Sequence, residues 1–427
     1  MLRGIHVGRA TVSMMLAISI AIAAAAIWPN QSLAAEVESS SEGFGSSFQV
    51  EDADIDSGVY DGVDWRITTN NELLIGNAGD VQEFEYKQDR DAEDYPWNPY
   101  REQITSVRFM GTVRGNGSAR TMFARCESLT NLDLSSFDTS GITDMSGMFA
   151  NCTNITALDL SPLNTANATN MSGLLSWCTH LTTLDLSSFD TNNVTDMSSM
   201  FYHCENLASL DLSSFDTSNV VNLRFCFADC HNLDTLDLSN FDTANVHDMF
   251  AMFTRCRSLT ALDLSSFDDS NVYNMESCFQ DCSTLTAIDL SSFKTENVTD
   301  MSSMFNGCYA LEEADLSTFD TGKVEDMRAM FKNCYELRTI FASSDWQPYY
   351  DAQMFVSCDS LIGGNGTKYN SEHTDSEYAR IDGKEGLPGY FTEKGAPGKP
   401  SRLTDVEVKF KATIPDAEVD TKVDWDD

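Results

Sequence analysis

Positive charge is what this chain has least of. Against 66 Asp and Glu it sets 27 Lys and Arg, a formal net charge of −39 over 427 residues. Such a surface repels phosphate backbones and anionic headgroups, so nucleic acid is not an expected partner. Cationic partners, divalent metals and neutral sugars stay open. Proline is scarce too, at nine, so little interrupts a long ordered body. Five histidines lie beyond residue 34 (His180, His203, His231, His247 and His373), with no metal-ligand spacing among them. The sequence has no Cys-x-x-Cys pair, no Gly-rich phosphate loop and no Gly-x-Ser-x-Gly elbow. Carboxylates abound, but a repeated array offers no singular pair whose surroundings would drive two pKa values apart. The chain is therefore not expected to be an enzyme. No catalytic residue, resident metal or cofactor is assigned.

Long apolar runs are also missing, with one exception. Arg3, His6 and Arg9 precede an apolar stretch from Ala10 to Ile27, and Ser32-Leu33-Ala34 supplies small residues at a cleavage site. Residues 1–34 read as a secretory signal peptide, which implies a secreted or surface protein. An uncleaved anchor is the competing reading. Membrane insertion of the mature chain is not expected. Residues 35–58, rich in Ser, Gly, Glu and Asp, read as a disordered lead-in.

What the chain does have is a repeat. Residues 129–152 read LTNLDLSSFDTSGITDMSGMFANC, and a 26-residue step keeps finding the same pattern up to residue 334. Cys126, Cys152, Cys178, Cys204, Cys230, Cys256, Cys282, Cys308 and Cys334 mark the register, and Cys358 follows after 24. A fixed period of this length is the signature of stacked units that cannot bury their apolar side alone. Leu-x-x-Leu-Asp-Leu alternates like a short strand, and Asp138-Thr139-Ser140-Gly141 is turn chemistry. Met145, Met148, Phe149 and Cys152 fall at i, i+3, i+4 and i+7, which predicts a short helix. Residues 142–145 suggest a second strand ladder. The expected fold is α/β: a right-handed solenoid of about ten 26-residue rungs over 104–358, with a parallel strand ladder and short helices. Residues 59–103 form the opening cap, where Trp65 and Ile67 alternate before an Asn70-Asn71 turn, and Tyr86, Tyr95, Trp97 and Tyr100 supply aromatic cover. Residues 359–394 form the closing cap, and 395–427 a linker and an incomplete tail.

These motifs resemble the BspA-like leucine-rich-repeat surface proteins of bacteria. The resemblance is carried by the unit LDLSSFDTSNVxxMxxMFxxC, the opening SGVYDGVDWRI (57–67) and the ending GGNGTKYN…YARIDG…PGYFT (363–392). It covers about 57–394. It implies a cell-surface leucine-rich-repeat protein associated with adhesion to host matrix proteins and epithelia, without fixing the ligand. The chain departs from well-known surface members in showing no C-terminal sorting motif.

The candidate site is a column of acids. Asp133, Asp159, Asp185, Asp211, Asp237, Asp263, Asp289 and Asp315 each sit between two strand leucines or their equivalents. Alternation points them outward. Neighbouring strands lie about 4.8 Å apart, so the carboxylates form a charged stripe. It reads as a ligand-binding face for a host extracellular matrix protein or a glycan, as a weak Ca²⁺ surface, or as a plain solvated face. Two further sets, opened by Asp138 and by Asp144, are expected to cap turns, because Asn takes their place at Asn164, Asn170, Asn222 and Asn274. The ten periodic cysteines are expected to be buried thiols, with bridges between neighbouring units left open. A monomeric adhesin-like binder is the leading expectation. A structural spacer presenting another module, or a Ca²⁺-stabilised rod, is the alternative.

Overall fold

The computed structural model describes residues 54–395. The expected signal peptide and most of the expected lead-in and tail lie outside that range. The opening is built from β1 (Asp54–Tyr60), β2 (Val63–Thr68) and β3 (Glu72–Glu83). They pair antiparallel in order, with Trp65 opposite Ile75. The turn between β2 and β3 places Asn71 at φ 61°, a left-handed conformation that Asn tolerates. Ordered structure thus reaches back over residues 54–58, which the sequence had suggested were part of the lead-in: alternation in β2 gives β1 a ladder to pair with.

From β3 onward the pairing is parallel. β4 (Ser106–Ser118) lies against β3, with Ile75 opposite Phe109, and carries β5 (Asn131–Asp133) and β6 (Phe137–Asp144) on its other edge. Short strands then recur at the expected place in the repeat. β7 (Ala157–Asp159) pairs with β8 (Thr183–Asp185), and β9 (Ala261–Asp263) with β10 (Ala287–Asp289). β11 (Glu313–Asp315) pairs with β12 (Thr339–Ala342), which takes β13 (Phe391–Glu393) from the closing segment. Residues 209–211 and 235–237 carry no strand ladder. The second ladder is continuous: parallel bridges run Asp144–Asn170–Asp196–Asn222–Asp248–Asn274–Asp300–Asp326–Tyr350.

The expected helices do not form. The described residues contain four 3-10 turns, all outside the repeated Met–Phe–Cys segments, and no α-helix. In the segment from Met145 to Cys152, alternate amides bond in two directions. Met148, Ala150 and Cys152 donate to carbonyls three residues back, at 3.0–3.2 Å, while Gly147, Phe149 and Asn151 donate to Ser172, Leu174 and Ser176 of the next unit, at 2.7–3.0 Å. A helix this short would leave its first four amides without partners and would bear the full cost of nucleation. The consecutive turns satisfy every amide and join the units as well. They need left-handed residues, and Gly147 (φ 59°) and Asn151 (φ 61°) supply them. Successive three-residue turns project Met145, Met148, Phe149 and Cys152 inward, so the spacing imitates a helix.

Stacking fills the interior. Phe201, Phe227, Phe253, Phe279, Phe305, Phe331 and Phe355 form a run of near-parallel rings with centroids 5.5–5.8 Å apart. All twelve cysteines are free and buried. Each periodic thiol from Cys152 to Cys334 donates to the phenylalanine or leucine carbonyl 29 residues earlier, as Cys178 Sγ does to Phe149 O at 3.3 Å. A buried Thr ladder joins the units too: Thr191 Oγ1 accepts from Asp216 N at 2.8 Å and donates to Asp216 O at 2.9 Å. At the opening end Tyr95 and Trp97 are buried and stacked, and Trp97 Nε1 donates to Met122 O at 2.9 Å. Tyr86, expected among them, is largely exposed. At the closing end Trp346 packs edge-on to Phe391, and buried Asp382 accepts from the amides of Asn365, Thr367 and Gly389.

Candidate binding faces

The eight acids of the strand face share one geometry. In each, Oδ1 accepts from the backbone N–H two residues on, from Ser135 to Asp133 at 3.0 Å through Ser317 to Asp315 at 3.1 Å, with the six between at 2.9 Å. The acid thereby closes its own turn. Asp133, Asp159, Asp185, Asp211, Asp237 and Asp263 are exposed, and Asp289 and Asp315 are half-buried. Asp159 is in register with Asp185, and Asp263 with Asp289. The column has cationic ends. Arg108 is in register with Asp133 and is paired to Glu72 at 3.0 Å, while Lys394 reaches Asp315 at 2.7 Å. The Ser213 hydroxyl and backbone amide hold the Asp211 carboxyl below the usual carboxylate range.

The two sister columns use the same device. Asp216 Oδ1 accepts from Ser218 N at 2.9 Å, and Asp196 Oδ1 from Ser198 N at 2.8 Å. Asn does the same at Asn164 and Asn170, which accept from Ala166 and Ser172 at 3.1 and 2.9 Å. Neutral and charged side chains therefore do one job here, which is to hold a turn.

One position breaks the Thr ladder. Asp269 stands where other units have threonine, is buried, and accepts from the amides of Lys294 and Thr295, the latter at 2.7 Å. Burial pushes its carboxyl up. The next unit puts Lys294 where its relatives carry Asp or Asn, so an added negative charge coincides with a local cation.

A separate side, made by the turns, holds a group that sequence reasoning did not bring together. Small residues fill most of its positions, such as Ser146, Gly147, Ala150 and Asn151. Between residues 177 and 255 larger ones replace them. Trp177 stacks on His203 at 3.7 Å, Tyr202 lies 5.4 Å from Phe225, and Arg224 covers Phe250 at 4.4 Å. His203 Nε2 is 3.4 Å from Asp229 Oδ2, and Arg255 reaches the other oxygen at 3.3 Å. Glu205 lies 3.2 Å from His203 Nδ1 and 4.0 Å from His231 Nδ1. His231 Nε2 sits 3.3 Å from Asp229 Oδ1 without making a hydrogen bond. The signal was present in the sequence as departures from the consensus at fixed repeat positions. Among the described residues no three His, Cys, Asp or Glu are placed to hold a metal ion, and no helix is long and apolar enough to cross a membrane.

Residues 117–210, 178–286 and 259–363 each match the family described as Mycoplasma protein of unknown function, DUF285, together more than half of the chain. The chain is similar to two solved structures. One is a leucine-rich repeat protein from Eubacterium ventriosum, 16% identical over 61% of this chain and 90% of that one, with a TM-score of 0.27. The other is a leucine rich cell surface protein from Faecalibacterium prausnitzii, 15% identical over 71% and 93%, with a TM-score of 0.29. No curated protein matches the sequence.

Proposed function

The chain belongs to the DUF285 repeat family, the BspA-like leucine-rich-repeat proteins, and from that premise we propose that it is a surface-exposed binding protein. Its partner is a host extracellular matrix protein or a glycan, its repeats form a right-handed solenoid of about ten rungs, and it acts as a monomer at the bacterial surface or after secretion. One observation supports this reading above others. Eight carboxylates stand on one face with one oxygen fixed by a backbone amide, which holds each side chain still before a partner arrives. Preorganised groups lose less conformational freedom on binding, and shallow contacts repeated along an array multiply.

The test separates the carboxylate charge from the turn it closes. In Asp185→Asn/Asp211→Asn/Asp237→Asn each amide still has an acceptor, as Asn164 and Asn170 demonstrate, while three charges are gone. The full chain and this variant are screened against immobilised matrix proteins and glycans at physiological salt. Binding lost in the variant, with its melting temperature unchanged, supports the strand face as the contact. Binding kept in the variant moves the contact elsewhere. No ligand for either protein points to the spacer role.

A further inference from the structure

We propose that the outer side of the second ladder is a further binding site, which takes an extended, uncharged polysaccharide along a stripe from Asn167 to Thr299. The inference rests on the binding-protein reading above and commits to the glycan, but it places the contact away from the strand-face acids.

The first support is the absence of charge. In each unit an exposed Asn and an exposed residue two places on flank a buried one, as Asn193, Val194 and Thr195 do. The exposed pair therefore points outward together. Six units place Asn167, Asn193, Asn219, Asn245, Asn271 and Asn297 in one column. The column beside it runs Thr169, Thr195, Val221, His247, Tyr273 and Thr299. Neither contains Asp, Glu, Lys or Arg, in a chain of net −39. Charge returns to these positions only at Lys323 and Glu325. The exposed acids that open the turns, such as Asp216, lie along one border, so an anionic chain is repelled. A polycation finds no carboxylate inside the stripe.

The second support is preorganisation. Each of the six Asn side chains donates from Nδ2 to a backbone carbonyl 27 residues earlier, at 2.7–2.8 Å. One amide hydrogen thus holds the side chain still and the other remains. In Asn297 the Oδ1 atom accepts from Lys323 at 2.6 Å. From Asn167 to Asn271 it has no hydrogen-bond partner among the described residues. A sugar hydroxyl both donates and accepts, so it can bond either half of such an amide. Groups already fixed lose little freedom on binding.

The third support is the repeat itself. Strands about 4.8 Å apart make the six-unit column about 24 Å long. A partner that meets the same amide in unit after unit must itself repeat, which a polysaccharide does and a folded protein surface does not. Contacts repeated in this way multiply. Val221 and Tyr273, 37% and 49% exposed, interrupt the threonines. They offer apolar surface to the C–H faces of sugar rings.

The experiment titrates the full chain by calorimetry with cellohexaose, mannohexaose and N-acetylchitohexaose, and with hexagalacturonate as an anionic counterpart. Tyr273→Thr installs the residue found at Thr299, and Asn193→Lys/Asn219→Lys/Asn245→Lys installs that found at Lys323. Both use side chains the repeat already accepts, and melting temperature checks folding. Should the triple variant melt early, Asn219→Gly, with the residue of Gly141, takes its place. The expected result is binding of at least one neutral hexasaccharide and none of hexagalacturonate. Tyr273→Thr should weaken it about threefold to tenfold, as the loss of one aromatic contact implies, and the asparagine variant at least as much. Asp185→Asn/Asp211→Asn/Asp237→Asn should bind the same sugar unchanged. Failure of all three neutral sugars to bind at millimolar concentration overturns the proposal. So does binding that the asparagine variant retains, or equal binding of hexagalacturonate. A matrix protein lost in the strand-face variant, with no sugar bound by the full chain, would overturn this site and leave the strand-face reading standing.

Discussion

The strand face and the turn face are built from the same 26 residues, yet one is uniform and the other is not. On the strand face an acid recurs in eight successive units, and in each its Oδ1 accepts from the amide two residues on. On the turn face the same repeat position holds Asn151, Trp177, His203, Asp229, Arg255 and Asp281 in succession. The difference lies in what the backbone requires. Where a side chain must satisfy an amide, the residue repeats. Where the backbone satisfies itself through alternating turn and cross-unit bonds, the side chain is free to differ, and individual contacts can be written there.

The largest effect should come from the element common to both faces. Phe227 lies between Phe201 and Phe253 at 5.7 and 5.6 Å and is fully buried. Phe227→Ala should lower stability by about 3–5 kcal/mol and shift the denaturation midpoint accordingly. Next is Asp211. Removing its acceptor in Asp211→Ala should cost about 1 kcal/mol, whereas Asp211→Asn should stay within a few tenths by chemical denaturation. An equal loss in both would mean that charge rather than the turn sets the repeat. Asp269→Thr should stabilise by about 1 kcal/mol, because it restores the hydroxyl that both accepts and donates. That gain should be full at neutral pH and should shrink as pH falls through the raised value of the Asp269 carboxyl. Trp177→Asn should raise the melting temperature slightly, by an amount worth up to about 1 kcal/mol, as a strained residue is replaced by one suited to its backbone. A fall instead would show the indole to be structural.

Acid should act first on the aspartates that close turns, on the strand face and in the column opened by Asp138. Asp138, Asp211, Asp216 and Asp268 are all held below the usual carboxylate range by bonds from the serine two residues on. Their stabilisation is complete above the ordinary value of 3.8 and is lost as pH falls below it through their folded values. Melting temperature should change little in mildly acidic buffer and drop below about pH 4.

The repeat, the short strands, the second ladder and the outward acids were legible from sequence, because period and alternation map directly onto register. The helices were misread because Met145, Met148, Phe149 and Cys152 present the same inward spacing on consecutive turns. Only the hydrogen-bond partners separate the two, and these lie in the next unit. The cluster at Trp177, His203, Asp229 and His231 was hidden for a related reason. Asp229 and His231 are near neighbours, but Trp177 and His203 lie 26 residues or more from them and from each other, and the group meets only when the units stack.

The buried thiols have a consequence of their own. Burial pushes Cys178, Cys230 and Cys282 up to about 12, and it raises the other periodic cysteines as well. A thiol that high, with its proton committed to a carbonyl, supplies almost no thiolate to an alkylating reagent. The folded chain should therefore be nearly silent to iodoacetamide, and each label acquired should report that its own unit had opened. With one periodic cysteine in each unit, a second at Cys226 and Cys278, and each unit held by its neighbours, the labelling order becomes a map of fraying from the ends inward, recorded by the chain without any added probe.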